Sequence, residues 1–361
     1  MNGKIYYVIA LSENVKRKSL TNLEKKVMWA LTKYSDMENK NIISEIGIKP
    51  STFYSIKRRI IRQGLIRELY APMINKIGGE LLVVIHSNFN PVIPLSERVK
   101  ATKRAIEISE EIFLSVGEED KGFSLSFSKD YTSVGRINDI RTETFGKLGL
   151  LDGSYPLEII FPFEISRIER FFDYSKILST FFEIEDEGGE KVWFSGREVV
   201  NLNENEKKVL VGLLDNPGIS STRLSEKISI PRGTIERIRR ELVDNGLIRR
   251  LFVPDLKKLG FEILAFYHIR YNPNKPPTLR DLDFLKANSS LFFASRKFES
   301  VIISAHPNYQ SYKNDKMRRI RYLRENNLVA EGPLIRKYML EKMKIIKDLD
   351  FVSITRKILG I

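Results

Sequence analysis

Apolar side chains recur at helical spacing over Leu23, Val27 and Leu31, and again over Val209, Leu210, Leu213 and Leu214. Such stripes mark the buried face of a helix rather than a chemical site. Each begins behind the same device, Thr21 with Glu24 and Asn203 with Glu206: a cap residue and, three places on, a glutamate, so that side chains satisfy the orphan amides of a helix start. A short second helix is expected around Asn41 to Ile46 and Thr222 to Ile228, and a third at Pro50 to Gln63 and Arg232 to Asn245. Gly64 and Gly246 stand where that third helix must stop, because the left-handed residue that ends a helix is sterically free mainly for glycine. The segments Leu65 to Ile74 and Leu247 to Leu256 hold β-formers and a proline, and they read as short wing hairpins.

These two patterns are one pattern used twice. Leu20 to Pro91 realigns on Leu202 to Pro273 without a gap at an offset of 182, the kind of self-similarity that has to be found before a fold is assigned. Glu24-Lys25-Lys26-Val27 returns as Glu206-Lys207-Lys208-Val209, and Gly64-Leu65-Ile66-Arg67 as Gly246-Leu247-Ile248-Arg249. Thr52, Ile56, Arg58, Pro72 and Gly78 match Thr234, Ile238, Arg240, Pro254 and Gly260.

Behind each copy the period changes. Leu81-Leu82-Val83-Val84-Ile85 and Ile263-Leu264-Ala265-Phe266-Tyr267 read as buried strands, and the stretch behind each reads as helix, two strands, helix and strand, the ferredoxin-like order β-α-β-β-α-β. The expected fold class is α+β: two tandem winged helix-turn-helix domains, each followed by a ferredoxin-like domain. The boundaries are 1–19, an extension with a candidate strand Ile5 to Ala10; 20–78, the first winged helix; 79–165, the first ferredoxin-like domain; 166–200, a helix and linker; 201–260, the second winged helix; and 261–361, the second ferredoxin-like domain with a C-terminal helix. Glu185 to Glu190 is the expected interdomain turn, and helix-rich tails at Ser166 to Phe182 and Lys337 to Leu359 suit packing or dimerisation.

Composition narrows the chemistry. With 60 Lys+Arg against 46 Asp+Glu and a net charge of +14, a polyanionic partner is favoured over the alternative of a merely solvated basic surface. The chain has no cysteine, which removes disulfides, thiol nucleophiles and cysteine–zinc sites. No apolar run spans a membrane and no signal peptide opens the chain, so a soluble, cytoplasmic protein is expected. Without a phosphate-cradling glycine loop, a paired-histidine metal motif or a nucleophile elbow, no catalytic residue, metal or cofactor is expected.

The run Ile230 to Leu242, then Gly246-Leu247-Ile248, resembles the recognition helix and wing entry of regulators of the multiple-antibiotic-resistance type. The whole copy, Leu202 through Pro254, Leu259 and Gly260, also resembles the DNA reader of the leucine-responsive (feast/famine) regulators, whose effector domain the α/β unit resembles. The resemblance implies a transcription regulator that binds double-stranded DNA and is not an enzyme. Base edges would then be read by the exposed start of each third helix: Ser51, Tyr54 and Ser55 in copy one, and Arg232, Gly233, Glu236 and Arg237 in copy two, with Arg232 and Arg237 suited to guanine. Phosphates would be met by Lys49, Lys57, Arg58, Arg59, Arg62 and Arg67, and by Arg239, Arg240, Arg249 and Arg250.

Because the base-facing positions differ, one chain would read a bipartite site with unlike halves, about 34 Å apart if one helical turn separates them; whether two chains form a homodimer stays open. A small-molecule effector would use Gly117 and Asp120, whereas the second copy's Arg296-Lys297-Phe298-Glu299 lacks the glycine. The basic helix Lys313 to Arg324 is either a flanking DNA contact or a solvated face. Two alternatives remain. Siroheme decarboxylases have a similar organisation and use histidines in the α/β domain, yet here Leu291 to Ser295 holds none, and His86 and His268 occupy equivalent places. A plasmid-type replication initiator would also use tandem winged helices.

Overall fold

A computed structural model describes residues 20–186, 193–194, 196 and 198–361; the side chains of residues 105–108 are outside that description. The extension 1–19 and residues 187–190 of the expected turn also lie outside it. Copy one opens with α1 (Asn22–Lys33), α2 (Asn39–Ile46), α3 (Pro50–Arg62) and β1 (Ile66–Pro72), then a single 3-10 turn, Ile74–Lys76. The Thr21/Glu24 capping box is formed, and Gly64 ends α3 with φ at +62°. Then come β2 (Leu81–Asn88), α4 (Leu95–Ile108), β3 (Ile112–Gly117), β4 (Lys121–Ser128), α5 (Tyr131–Lys147), β5 (Leu157–Pro162), β6 (Arg167–Phe171) and α6 (Ser175–Phe182).

Copy two repeats the order: α7 (Glu204–Asp215), α8 (Ser221–Ile228), α9 (Arg232–Asp244), β7 (Ile248–Pro254) and the short α10 (Leu256–Leu259). Its α/β unit comprises β8 (Ile263–Arg270), α11 (Leu279–Lys286), β9 (Ser290–Arg296), β10 (Glu299–His306), α12 (Tyr309–Glu325), β11 (Leu334–Met339), β12 (Lys344–Asp348) and α13 (Val352–Leu359). The Asn203/Glu206 capping box is formed too, and Gly246 ends α9 at φ +58°. The helices and sheets fit a winged helix-turn-helix plus ferredoxin-like domains.

The expected local wing hairpins do not form among the described residues. Each copy contributes one strand, and the two pair with each other: β1 and β7 form an antiparallel two-stranded sheet. In its register Leu69 lies opposite Leu251, the residue 182 places further on, so the pairing turns about a pair of equivalent leucines. The burial pattern of the two strands is identical along their length. Each opening helix also packs against the other copy's strand, α7 on β1 and α1 on β7. A strand hydrogen-bonded to a distant segment satisfies its amides as well as a local hairpin does, which is why the β-forming sequence was compatible with both.

The expected helical tails are each a strand and then a helix, and the strands are exchanged. The sheets run β5-β2-β4-β3-β12 and β11-β8-β10-β9-β6, so β6 of copy one edges the second sheet and β12 of copy two edges the first. The sheets face each other: Phe123 meets Phe266 with ring centroids 5.1 Å apart, and Arg336 donates to the Ser87 carbonyl at 2.8 Å and to Asn88 Oδ1 at 2.7 Å. Outer faces are covered by helices, Leu81, Val83 and Ile85 packing with Val134 of α5, and Tyr267 and Phe293 with Leu282, Leu285 and Leu323 of α11 and α12.

Candidate nucleic-acid interface

In α3, Phe53, Ile56 and Ile60 are buried at helical spacing, which turns Ser51, Tyr54, Ser55, Arg58 and Arg62 outward on the opposite side. All five are exposed, and Lys49 stands exposed just before the helix. Tyr54 keeps 46% of its surface in solvent although its ring edges Phe53. No acidic residue occurs in α3.

In α9 the buried stripe is Ile235, Ile238 and Leu242, and Arg232, Gly233, Glu236, Arg237 and Arg240 are exposed. Here two of the cations, Arg232 and Arg237, are already partnered within the helix. Arg232 Nε lies 2.7 Å from Glu236 Oε1, and Arg237 donates to both oxygens of Glu241 at 2.7 Å. Exposed pairs at this spacing are worth only about 0.3–0.5 kcal/mol, so a phosphate or a guanine can displace the glutamate.

Several expected phosphate contacts already have partners within the protein. Lys57 lies over the Phe252 ring and 3.4 Å from Glu68, and burial draws its ammonium below its ordinary pKa in spite of that carboxylate. Arg239 donates to the Tyr70 hydroxyl at 3.0 Å. Arg250 donates to the Ser35 carbonyl at 2.6 Å and to the Met37 carbonyl, fastening the loop after α1 to β7. Arg59 pairs with Glu24 at 2.8 Å, Arg67 with Asp348 at 2.6 Å, and Arg249 lies over the Trp193 ring. The acids responsible sit on other elements, so a basic run read along α3 alone could not reveal them. Lys49, Arg58, Arg62 and Arg240 keep no ion pair within salt-bridge distance among the described residues and form the exposed collar.

In α12, Arg319 is buried, 3.1 Å from Asp315 and bonded to the hydroxyls of Ser289 and Ser290, while Arg318 lies over the Phe284 ring; these two of the six cations of the basic helix are thus engaged within the protein. Asp120 lies in the β3–β4 turn paired with Lys121 at 2.8 Å, and Gly117 ends β3 beside it. His86 and His268 meet edge to face between the sheets, 5.8 Å apart and almost wholly buried. His268 bonds Glu299 Oε1 at 2.7 Å, whereas no hydrogen bond reaches either ring nitrogen of His86, whose pKa burial lowers to about 3.

Residues 202–249 match the family model for winged helix-turn-helix DNA binding. This chain carries a winged helix-turn-helix DNA-binding domain. The match spans the whole of α7, α8 and α9 and the first residues of β7, so the winged helix is the element that holds Arg232, Glu236, Arg237 and Arg240. An HTH-type transcriptional regulator of Pyrococcus horikoshii is 33% identical over 82 residues, 22% of this chain and 55% of the relative, and one of Pyrococcus abyssi is 34% identical over the same length and shares. The chain spans about half the length of these curated relatives. Among solved structures, an AsnC family transcriptional regulator from Agrobacterium tumefaciens matches at 15% identity and a TM-score of 0.30, over 38% of this chain and 89% of that one. A transcriptional regulator from Neisseria meningitidis in complex with L-Met matches at 13% identity with the same TM-score and coverage. No helix among the described residues is long and apolar enough to cross a membrane.

Proposed function

We propose that the chain is a sequence-specific, double-stranded DNA-binding transcription regulator, in which one polypeptide supplies two winged helices and reads a bipartite site with unlike halves. The observation that carries this reading is the register of β1 on β7. With Leu69 opposite Leu251, the strands cross about equivalent residues, as two subunits of a symmetric dimer would at their axis, and each bears its recognition helix just before it. The equivalent residues Glu68 and Arg250 carry opposite charge and approach to 3.8 Å. Two identical chains joined through this strand would lack that complementarity, so the linked arrangement favours pairing within one chain.

On this reading Ser51, Tyr54 and Ser55 face bases in one half-site and Arg232, Glu236 and Arg237 in the other, with Lys49, Arg58, Arg62 and Arg240 on phosphates. Regulation by a small molecule at the Gly117–Asp120 turn belongs to the same proposal. Titration of a labelled duplex by anisotropy at several salt concentrations tests it. Affinity should fall linearly on a log–log plot with a slope that reports several phosphate contacts; absence of binding at low salt contradicts it.

A further inference from the structure

Each half has an equivalent compartment beside its exchanged edge strand, and linker residues fill the one beside β6. Beside β6, Trp193 and Phe194 of the linker are buried: the Trp193 amide donates to the Ile168 carbonyl at 3.2 Å, and Phe194 forms an antiparallel bridge with Ile168. Phe194 packs on Phe163, Phe127 and Phe171, and Arg249 lies over the Trp193 ring. The linker then runs past the 3-10 turn, where Asn75 Nδ2 donates to the Gly196 carbonyl and the Val200 amide to the Lys76 carbonyl, and enters α7.

In the other half the counterparts of those residues, taken element by element, are Ile345 for Ile168, Leu340 for Phe163, Asp348 for Phe171 and Arg67 for Arg249. All four line a cavity of about 480 Å³, together with Leu256 and Lys257 of α10, the counterpart of the 3-10 turn. The walls are mainly aliphatic and aromatic. The strands differ accordingly: β6 is buried from its second residue on, whereas β12 has no buried residue and Ile345 is 51% exposed. An open edge strand with apolar surface normally receives a cover or a further strand.

The linker precedes α7 as residues 1–19 precede α1, and the two stretches share a pattern. Lys191-Val192-Trp193-Phe194 has its likeness in Lys4-Ile5-Tyr6-Tyr7, a base, a β-branched residue and two aromatics. Nine residues lie between Phe194 and the start of α7 at Glu204, and fourteen between Tyr7 and the start of α1 at Asn22, so reach is not limiting at about 3.3 Å per extended residue.

We propose that the N-terminal segment of this same chain docks along β12 and inserts Tyr6 and Tyr7 into the cavity between β12, α10 and Arg67. The tyrosines suit it because Asp348 and Arg67 line one side, giving a hydroxyl a polar partner that the Phe171 side of the other compartment lacks. The proposal rests on the two-half reading of the chain and is independent of what either reader binds.

The cysteine-free sequence makes the test clean. Opposed residues of an antiparallel bridge lie within disulfide range, so Tyr7→Cys with Ile345→Cys should oxidise to an intrachain disulfide several-fold faster than Tyr7→Cys with Gln310→Cys on the exposed start of α12. Because the substitution itself removes one aromatic, a second readout uses the full chain without cysteine: Tyr6→Ala with Tyr7→Ala should raise the fluorescence of an anilinonaphthalene sulfonate dye several-fold over the unaltered chain. Oxidation at the control rate, disulfides formed only between chains, or equal dye fluorescence in both proteins overturns the proposal. None of these outcomes depends on DNA, so failure here and failure of the regulator reading are separable.

Discussion

On the outward side of α3 there is no acid, whereas α9 sets Glu236 and Glu241 against Arg232 and Arg237. The helices occupy equivalent places and rest on equivalent buried residues, Phe53, Ile56 and Ile60 against Ile235, Ile238 and Leu242. The buried positions stay apolar, so the difference in charge lies on the exposed side. An unopposed cation attracts any phosphate at long range, while a cation held by a glutamate exchanges partners only when the new one offers better geometry. On the proposed reading, α3 would serve attraction and α9 discrimination.

The joint between the readers should be the most sensitive point, since both depend on it. Leu69→Asp would bury a charge opposite Leu251, at a cost of about 4 kcal/mol, and denaturant titration should show both readers losing stability together. Separate loss of one reader would mean the joint does not couple them. Glu68→Arg places a cation near Arg250 and Lys57 in a half-buried site and should cost about 2–3 kcal/mol; adding Arg250→Glu should recover part of it, and no recovery in the double variant would count against the pairing.

The histidines at the sheet interface extend the contrast between halves to pH. Buried His86 is pushed down to about 3 from an ordinary 6.5, so between those values the unfolded chain binds the extra proton. Its contribution is present above about pH 6.5 and is lost as pH falls towards 3, by about 2 kcal/mol between pH 7 and pH 5. Stability measured over that window should fall less steeply in His86→Phe than in the unaltered chain; an unchanged slope would mean that His86 does not couple folding to pH.

Smaller effects separate the readers on DNA. Arg237→Ala should flatten base preference in one half-site by about 1–2 kcal/mol and leave the other untouched, as selection from a random duplex library would report. Arg58→Ala should weaken all duplexes alike and lower the salt slope by about 1, and Glu241→Gln should raise binding to every sequence slightly by releasing Arg237. Equal loss on all sequences from Arg237→Ala would erase the proposed division of labour.

Local features were legible from sequence because their causes are local. A cap and its glutamate are three residues apart, and Gly64 and Gly246 answer to the φ of one residue, so both helix starts and both stops stand where the sequence put them. Strand partners were not legible: β1 finds β7, and β6 and β12 find sheets of the opposite half, and nothing in a short β-forming run tells a hairpin from a remote pairing. The same limit governs the site. The outward positions of α3 and α9 follow from helical phase, whereas the inward turn of Lys57 depends on Glu68 and Phe252, and that of Arg250 on carbonyls of the loop after α1. Charge along a helix reveals a candidate collar, and only the packing around it tells which cations remain outside.

The most direct test of two unlike readers in one chain is selection of bound duplexes from a random library, run in parallel for the unaltered protein, a Tyr54→Ala variant and an Arg237→Ala variant. Two unlike readers should enrich one bipartite motif with unlike halves, one half weakened by each substitution. A palindromic motif, or a motif weakened throughout by both substitutions, would contradict them.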